Sequence, residues 1–300
     1  MINAGPGEIA ALCTALSWTF TMMAFEAAGK RIGSLNVNLL RLLLGFLFLG
    51  FFCFVTRGRF LPSDATLHNW MWLALSGFIG LTLGDMCLFK AFVLVGSRIS
   101  ALIMAAVPVI SALISWLFLG EILHPLDQAG MALTVMGIVM VVGGRGRRAG
   151  QTNIPARLHP AGLLLALGGA VGQSVGLVFS KYGMGDYNAF AANHIRLMAG
   201  LAGFIVIFLI TGRWKAIPTA ARHRSGILFT TVGSFFGPFL GVSLSLYAVQ
   251  HTQVGVAATI IALVPIFIIP PSILLKKEKI GFRDVFGAVV AVSGSALLFF

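Results

Sequence analysis

Ten stretches of mostly apolar residues, each closed by a short polar or glycine-containing break, take up almost the whole chain. They run over 7–28, 35–56, 70–92, 98–118, 126–144, 159–182, 188–211, 225–248, 254–275 and 282–300. A helix needs about 20 such residues to cross the hydrocarbon core of a bilayer. None of the runs shows the alternation, over about ten residues, of a membrane β-barrel strand. The pattern predicts an all-α integral membrane protein with ten transmembrane helices. The longest breaks, 145–158 and 212–225, are too short for an extramembrane domain. No basic residue precedes the first apolar run, which therefore reads as a retained helix rather than a cleaved signal peptide.

The polar and small residues that punctuate these runs recur. Asn38-Leu-Leu-Arg41-Leu42 returns as Asn193-His-Ile-Arg196-Leu197 at an offset of 155, and Gly45 as Gly200. Further along the offset becomes 157, pairing Gly80 with Gly237, Gly84 with Gly241, Pro108 with Pro265, Glu121 with Glu278, Asp127 with Asp284 and Gly137 with Gly294. Over 80–137, 16 of 58 aligned positions are identical. Apolar bias inflates such matches, but it does not pair Pro, Glu and Asp. The chain thus divides into a first five-helix repeat (7–144), a basic linker loop (145–158) and a second five-helix repeat (159–300). Five is odd, so the second repeat is expected to cross the membrane inverted. Inverted repeats are the architecture of alternating-access carriers, with the site at the repeat interface.

Composition agrees with a lipid solvent. The chain is 58% hydrophobic and 10% charged, with a mean hydropathy of +0.96, and a soluble fold could not cover itself with so few charges. The net charge of +12 does not indicate nucleic acid, because the basic residues punctuate apolar runs instead of forming a stripe. Arg41, Lys90 and Arg196 lie inside spans. Of the other 18 Lys and Arg residues, 15 fall in breaks after odd-numbered spans and only Arg57, Arg59 and Lys181 on the other side. The positive-inside bias then puts both termini outside the cytoplasm of a cell (inner) membrane. Cys13, Cys53 and Cys87 sit singly in apolar runs and read as small core residues, with no metal or disulfide pattern. No phosphate-cradling glycine loop is present, so ATP drive, a cofactor and a metal are not expected.

Leu83-Gly84-Asp85 with Phe89-Lys90-Ala91, then Ala105-Ala106-Val107-Pro108-Val109 and Trp116-Leu117-Phe118-Leu119-Gly120-Glu121, form a recognisable series. Its second-half echoes are Ala257-Ala258-Thr259, Val264-Pro265-Ile266 and Leu275-Lys276-Lys277-Glu278-Lys279, where Lys277 replaces the glycine of Gly120-Glu121. In these segments the chain resembles the EamA family of the drug/metabolite transporter superfamily. The resemblance implies a secondary carrier of small metabolites, often an exporter of amino acids or similar solutes. It also implies cytoplasmic termini, against the charge distribution.

Several residues stand out as candidates. Asp85 is an intramembrane carboxylate, able to bind a cation, carry a proton or form a buried charge pair. Lys90 lies five residues on, about 500° around the helix, and so cannot share its face; their counterparts are Val242 and Tyr247. Trp18 and Gln173, at equivalent mid-span positions, would suit a cavity wall or plain packing, and Tyr247 completes the expected cavity set with Asp85. Arg41 and Arg196 lie six to eight residues inside their spans, near opposite membrane faces by inversion, and serve either as anchors or as anion contacts. Glu26 and Lys181 are expected in the interfacial zone. Asn193, His194 and His251 carry no specific expectation. Pro108 and Pro265 would kink spans 4 and 9, for packing or for movement about a central site. The expected partners are a small-molecule solute, membrane lipid and, as a coupling ion, the proton. A lipid flippase, a passive channel and an integral-membrane enzyme are the alternatives, the last weakened by the lack of a catalytic His/Asp/Glu cluster.

Overall fold

A computed structural model describes residues 5–119, 125–148, 159–252, 257, 260–278 and 280–297. The Gly120-Glu121 motif, linker residues 149–158, Ala258-Thr259 and Lys279 lie outside these. The described residues are helical almost throughout: α1 (Pro6–Ile32), α2 (Ser34–Arg57), α3 (Leu67–Gly77), α4 (Asp85–Val95), α5 (Ser97–Met104), α6 (Val107–Leu119), α7 (Pro125–Arg148) and α8 (Pro160–Met184). They continue with α9 (Ala189–Thr211), α10 (Ala216–Arg222), α11 (Arg224–Ser234), α12 (Val242–His251), α13 (Val264–Phe267), α14 (Ile269–Lys276) and α15 (Phe282–Leu297).

Eight helices among the described residues are long and apolar enough to cross a membrane, with Val264–Lys276 a shorter apolar stretch. The outward surface is apolar in keeping: Phe51, Val55, Leu209, Ile210 and Leu228 are all exposed. In water such a surface would be an aggregation hazard, whereas in lipid it is the expected exterior. Cys13, expected in the core, is exposed on this surface. α7 continues through Arg148, so the first four residues of the expected linker are helical.

Two long helices carry a wide turn. α3 passes into α4 through π-helix at Phe78–Gly84, and α11 into α12 through π-helix at Phe235–Gly241. The starts, 78 and 235, are separated by the 157-residue offset of the sequence repeat. The expected proline kinks are breaks instead. α5 ends at Met104 and α6 begins at Val107, with the Ala105 and Ala106 amides turned back onto Leu102 and Ile103. Pro108 is therefore the second residue of a new helix, where its missing N–H breaks no intrahelical bond. Pro265 is likewise the second residue of α13.

The links between helices are short. Gly33 and Gly96, with φ of +83° and +85°, each join two long helices through one residue in a conformation that an L side chain rarely adopts. At the opposite end of the bundle the 58–66 link is tied to the 185–188 link. Arg57 donates to Asp64 at 2.5 Å, the Tyr187 hydroxyl donates to Asp64 at 2.9 Å, and the Arg57 guanidinium lies over the Tyr187 ring. Partial burial works to raise the Asp64 pKa, but the Tyr187 bond, a backbone bond and the two arginines, Arg57 and Arg59, outweigh it, so the carboxyl titrates below its ordinary 3.8. A depressed pKa contributes order that is complete above 3.8 and is lost as pH falls through the lowered value. Hydrogen-exchange protection in 58–66 and 185–188, relative to the intrinsic rate at each pH, is therefore expected to hold from neutral pH to about pH 4 and to fall only in stronger acid. In Asp64→Asn that protection should be low throughout.

Candidate functional site

A cavity of about 200 Å³ lies between the two halves of the chain. α1, α2, the first wide turn with α4, and the α5–α6 break supply one side. α8, α9, the second wide turn with α12, and the start of α13 supply the other. Its walls are mostly apolar and aromatic, including Phe25, Phe89 and Phe92, and a few polar groups converge on it. That is the usual composition of a small-molecule site.

Asp85 stands at the centre of the polar wall. The π-helical turn before it delivers it buried, 3% exposed, to the interior. Arg41 Nη2 donates to Asp85 Oδ2 at 2.5 Å, and Gln173 Nε2 donates to Asp85 Oδ1 at 2.8 Å. Arg41 also donates through Nε to Asn38 Oδ1 at 2.9 Å and stacks over the Phe89 ring at 4.5 Å. Asn38 Nδ2 reaches back to the Asp85 carbonyl at 3.3 Å, closing the set. A buried carboxylate is sustained only by such complete pairing. Arg196 lies close enough to act on Asp85 through space without touching it.

The cavity brings together Trp18, Arg41, Asp85, Pro108, Gln173, Arg196 and Pro265. Trp18 fits because Gly241 leaves room: a Cβ there would stand 2.5 Å from the indole. Arg41 and Arg196, expected near opposite faces, both reach this one cavity, because their long side chains turn inward toward the Asp85 charge. Tyr247 does not belong to it; its ring stacks on His251 at 3.8 Å, away from the wall. The same 500° step that separates Asp85 from Lys90 separates Val242 from Tyr247, and it is Val242 that lines the cavity. Lys90 is exposed, on a second hollow with Ser34, Asn36 and Arg213.

Four contributors were not singled out: Asn38, Thr21, Ser245 and the phenylalanine wall. Asn38 had a signal, the Asn-x-x-Arg spacing shared with Asn193 and Arg196, since three residues bring both side chains to one helix face. The others had none. Glu26 is also a surprise. Near the end of α1, it is nonetheless buried, 4% exposed; it accepts from Lys30 at 2.5 Å, from the Ser97 amide at 2.6 Å and from Lys276. Beside it Arg98 pairs with Glu278 at 2.8 Å and lies 4.0 Å from Asp284. These ties join α1 and α5 to α14 and α15 across one end of the cavity.

A bundle of apolar helices with a polar-centred internal cavity defines an integral membrane protein able to hold a small molecule within its core. The sequence says which group within that class. The EamA-like transporter family is matched by residues 5–143 and again by 160–300, and the chain belongs to that family. It is a membrane transporter, not an enzyme. It is 28% identical over 247 residues to the uncharacterized inner membrane transporter YedA of Escherichia coli K12, covering 81% of this chain and 69% of that protein. It is 25% identical over 195 residues to the uncharacterized transporter YvbV of Bacillus subtilis, covering 64% of this chain and 59% of the relative's length. A crystal structure at 19% identity shares the fold with a TM-score of 0.66, covering 97% of this chain and 95% of the other.

Proposed function

We propose that the protein is a secondary carrier that moves a small organic solute by alternating access, with ten membrane helices in two inverted five-helix repeats (7–144 and 159–300). The observation that carries this reading is the cavity itself. It is built at the junction of the halves, with Trp18, Arg41 and Asp85 from one and Gln173, Arg196 and Val242 from the other. The wide turns at equivalent positions and the breaks before Pro108 and Pro265 give both halves matching weak points beside that cavity. Broken helices around a central site are the usual means by which such carriers rock. The ionic ties of Glu26 and Arg98 close one end, and the Asp64–Tyr187 contact bridges links at the other. Proton coupling is part of the proposal: Asp85 is the one carboxyl on the cavity wall among the described residues. In this reading the basic-rich end, with Glu26 and Arg98, faces the cytoplasm and the termini face outward.

The test is flux in proteoliposomes holding the purified protein, using labelled amino acids, organic acids, organic cations and sugar phosphates. Each is measured with and without an imposed pH gradient. Saturable flux and counterflow of one class support a carrier, and dependence on the gradient supports proton coupling. Conductance far above carrier rates, or movement of labelled lipid in place of any solute, would overturn the reading in favour of a channel or a flippase.

A further inference from the structure

The two halves differ at one atomically defined point. In the first, Arg41 is paired: Nε donates to Asn38 Oδ1 and Nη2 to Asp85 Oδ2. The second half repeats the first two members as Asn193 and Arg196, but Val242 stands where the 157-residue offset places the partner of Asp85. The consequence is visible in what is left unbonded. Arg196 is 3% exposed, its Nε has no hydrogen-bond partner, and no ion pair reaches it among the described residues. Asn193 Oδ1 is also without a partner, while its amide nitrogen donates to the Pro238 carbonyl at 2.8 Å and Ser243 Oγ at 3.0 Å. Gly77 fits directly against the backbone of Arg196, where a Cβ would stand 2.3 Å from the Arg196 carbonyl oxygen. The Arg196 backbone is thus held in place, and its guanidinium reaches the cavity wall without the carboxylate that its counterpart has.

Charge arithmetic points the same way. Arg41 and Arg196 against Asp85 leave one positive charge in excess on an otherwise apolar wall. A buried cation without a counter-ion is costly, and an anion that enters beside it relieves that cost. We infer that the transported solute is a small organic monoanion whose carboxylate binds Arg196, filling there the place that Asp85 fills beside Arg41. The inference rests on the carrier reading above and supplies its substrate class. One excess charge matches one carboxylate, and the second charge of a dianion would be left unpaired. Asp85 is already held by Arg41 and Gln173, so an ammonium group would find no free carboxylate. The site therefore ranks a simple monocarboxylate above its amino-acid analogue. Phe25, Phe89, Phe92 and Trp18 offer the solute's body an apolar, aromatic surface.

The test is thermal unfolding of the purified protein in detergent with butyrate, benzoate or phenylacetate, each set against its neutral amide and against chloride at equal ionic strength. At least one carboxylate is expected to raise the midpoint while its amide and chloride do not. Arg196→Gln should abolish the shift. Val242→Asp should abolish it too while raising the ligand-free midpoint, because it supplies Arg196 with a resident carboxylate; this second variant decides the matter if Arg196→Gln does not fold. No shift with any carboxylate, an equal shift with the amide or chloride, or a shift that survives in Arg196→Gln would overturn the inference. Counterflow separates it from the carrier reading. Carboxylate binding without flux would overturn the carrier and leave the site, whereas flux of neutral or cationic solutes unchanged by Arg196→Gln would overturn the site and leave the carrier.

Discussion

Asp85→Leu is expected to cost about 3–5 kcal/mol of stability and to abolish transport, because it strands a buried arginine. Arg41 would keep its bond to Asn38 and its place over Phe89 but lose the one carboxylate within reach, and it would then face Arg196 as a like charge in the same cavity. Gln173 would lose its acceptor as well. The double variant Arg41→Met/Asp85→Leu is expected to recover most of the stability, since an apolar pair of similar volume removes the charge and its desolvation cost together. Transport should not recover with it. Unfolding midpoints of the three proteins, set beside flux in liposomes, separate the two roles. If Asp85→Leu unfolds like the parent protein, the pair does not hold α2 to α4.

Gly172→Val is expected to be nearly as damaging by a different route. A Cβ at position 172 would stand 2.5 Å from Gly84 Cα and 3.1 Å from its nitrogen, so backbone would have to yield, not the tip of a side chain. Overpacking of this kind costs about 1–3 kcal/mol where side chains can give way, and more where they cannot. The displacement would fall on the wide turn that delivers Asp85 and on Gln173, the next residue of α8, so flux should drop at least about tenfold, the loss that 1.4 kcal/mol of misplacement produces. Gly168→Ala, one turn earlier, is the control. Its Cβ would meet Cys87 at 3.5 Å, an ordinary contact, and the change should be neutral or slightly stabilising.

The class of protein was legible because length and apolarity alone decide what can cross a bilayer, and at least eight helices among the described residues meet both conditions. The interior was only partly legible. Asp85, Arg41, Gln173 and Trp18 could be chosen because a charge or amide at membrane depth must face protein. Their mutual contacts could not, because the partners lie 44 and 88 residues apart in the chain and meet only through helix packing. Tyr247 lies off the cavity wall for a reason the sequence already holds: helical phase turns Lys90 away from Asp85, and the repeat carries that phase to Tyr247. The burial of Glu26 was not legible, because position in a span fixes depth and not burial. Its three donors come from α1 itself, the start of α5 and the end of α14, and the last two belong to no local pattern.

The paired wide turns at 78–84 and 235–241 stand at one repeat position, but the residues that follow them differ, Asp85 after the first and Val242 after the second. A symmetric pair of identical units would present the same residue twice to a shared cavity, a carboxylate on both sides or on neither. Joining the halves in one polypeptide is what lets this site hold a single carboxylate between two arginines, Arg41 and Arg196.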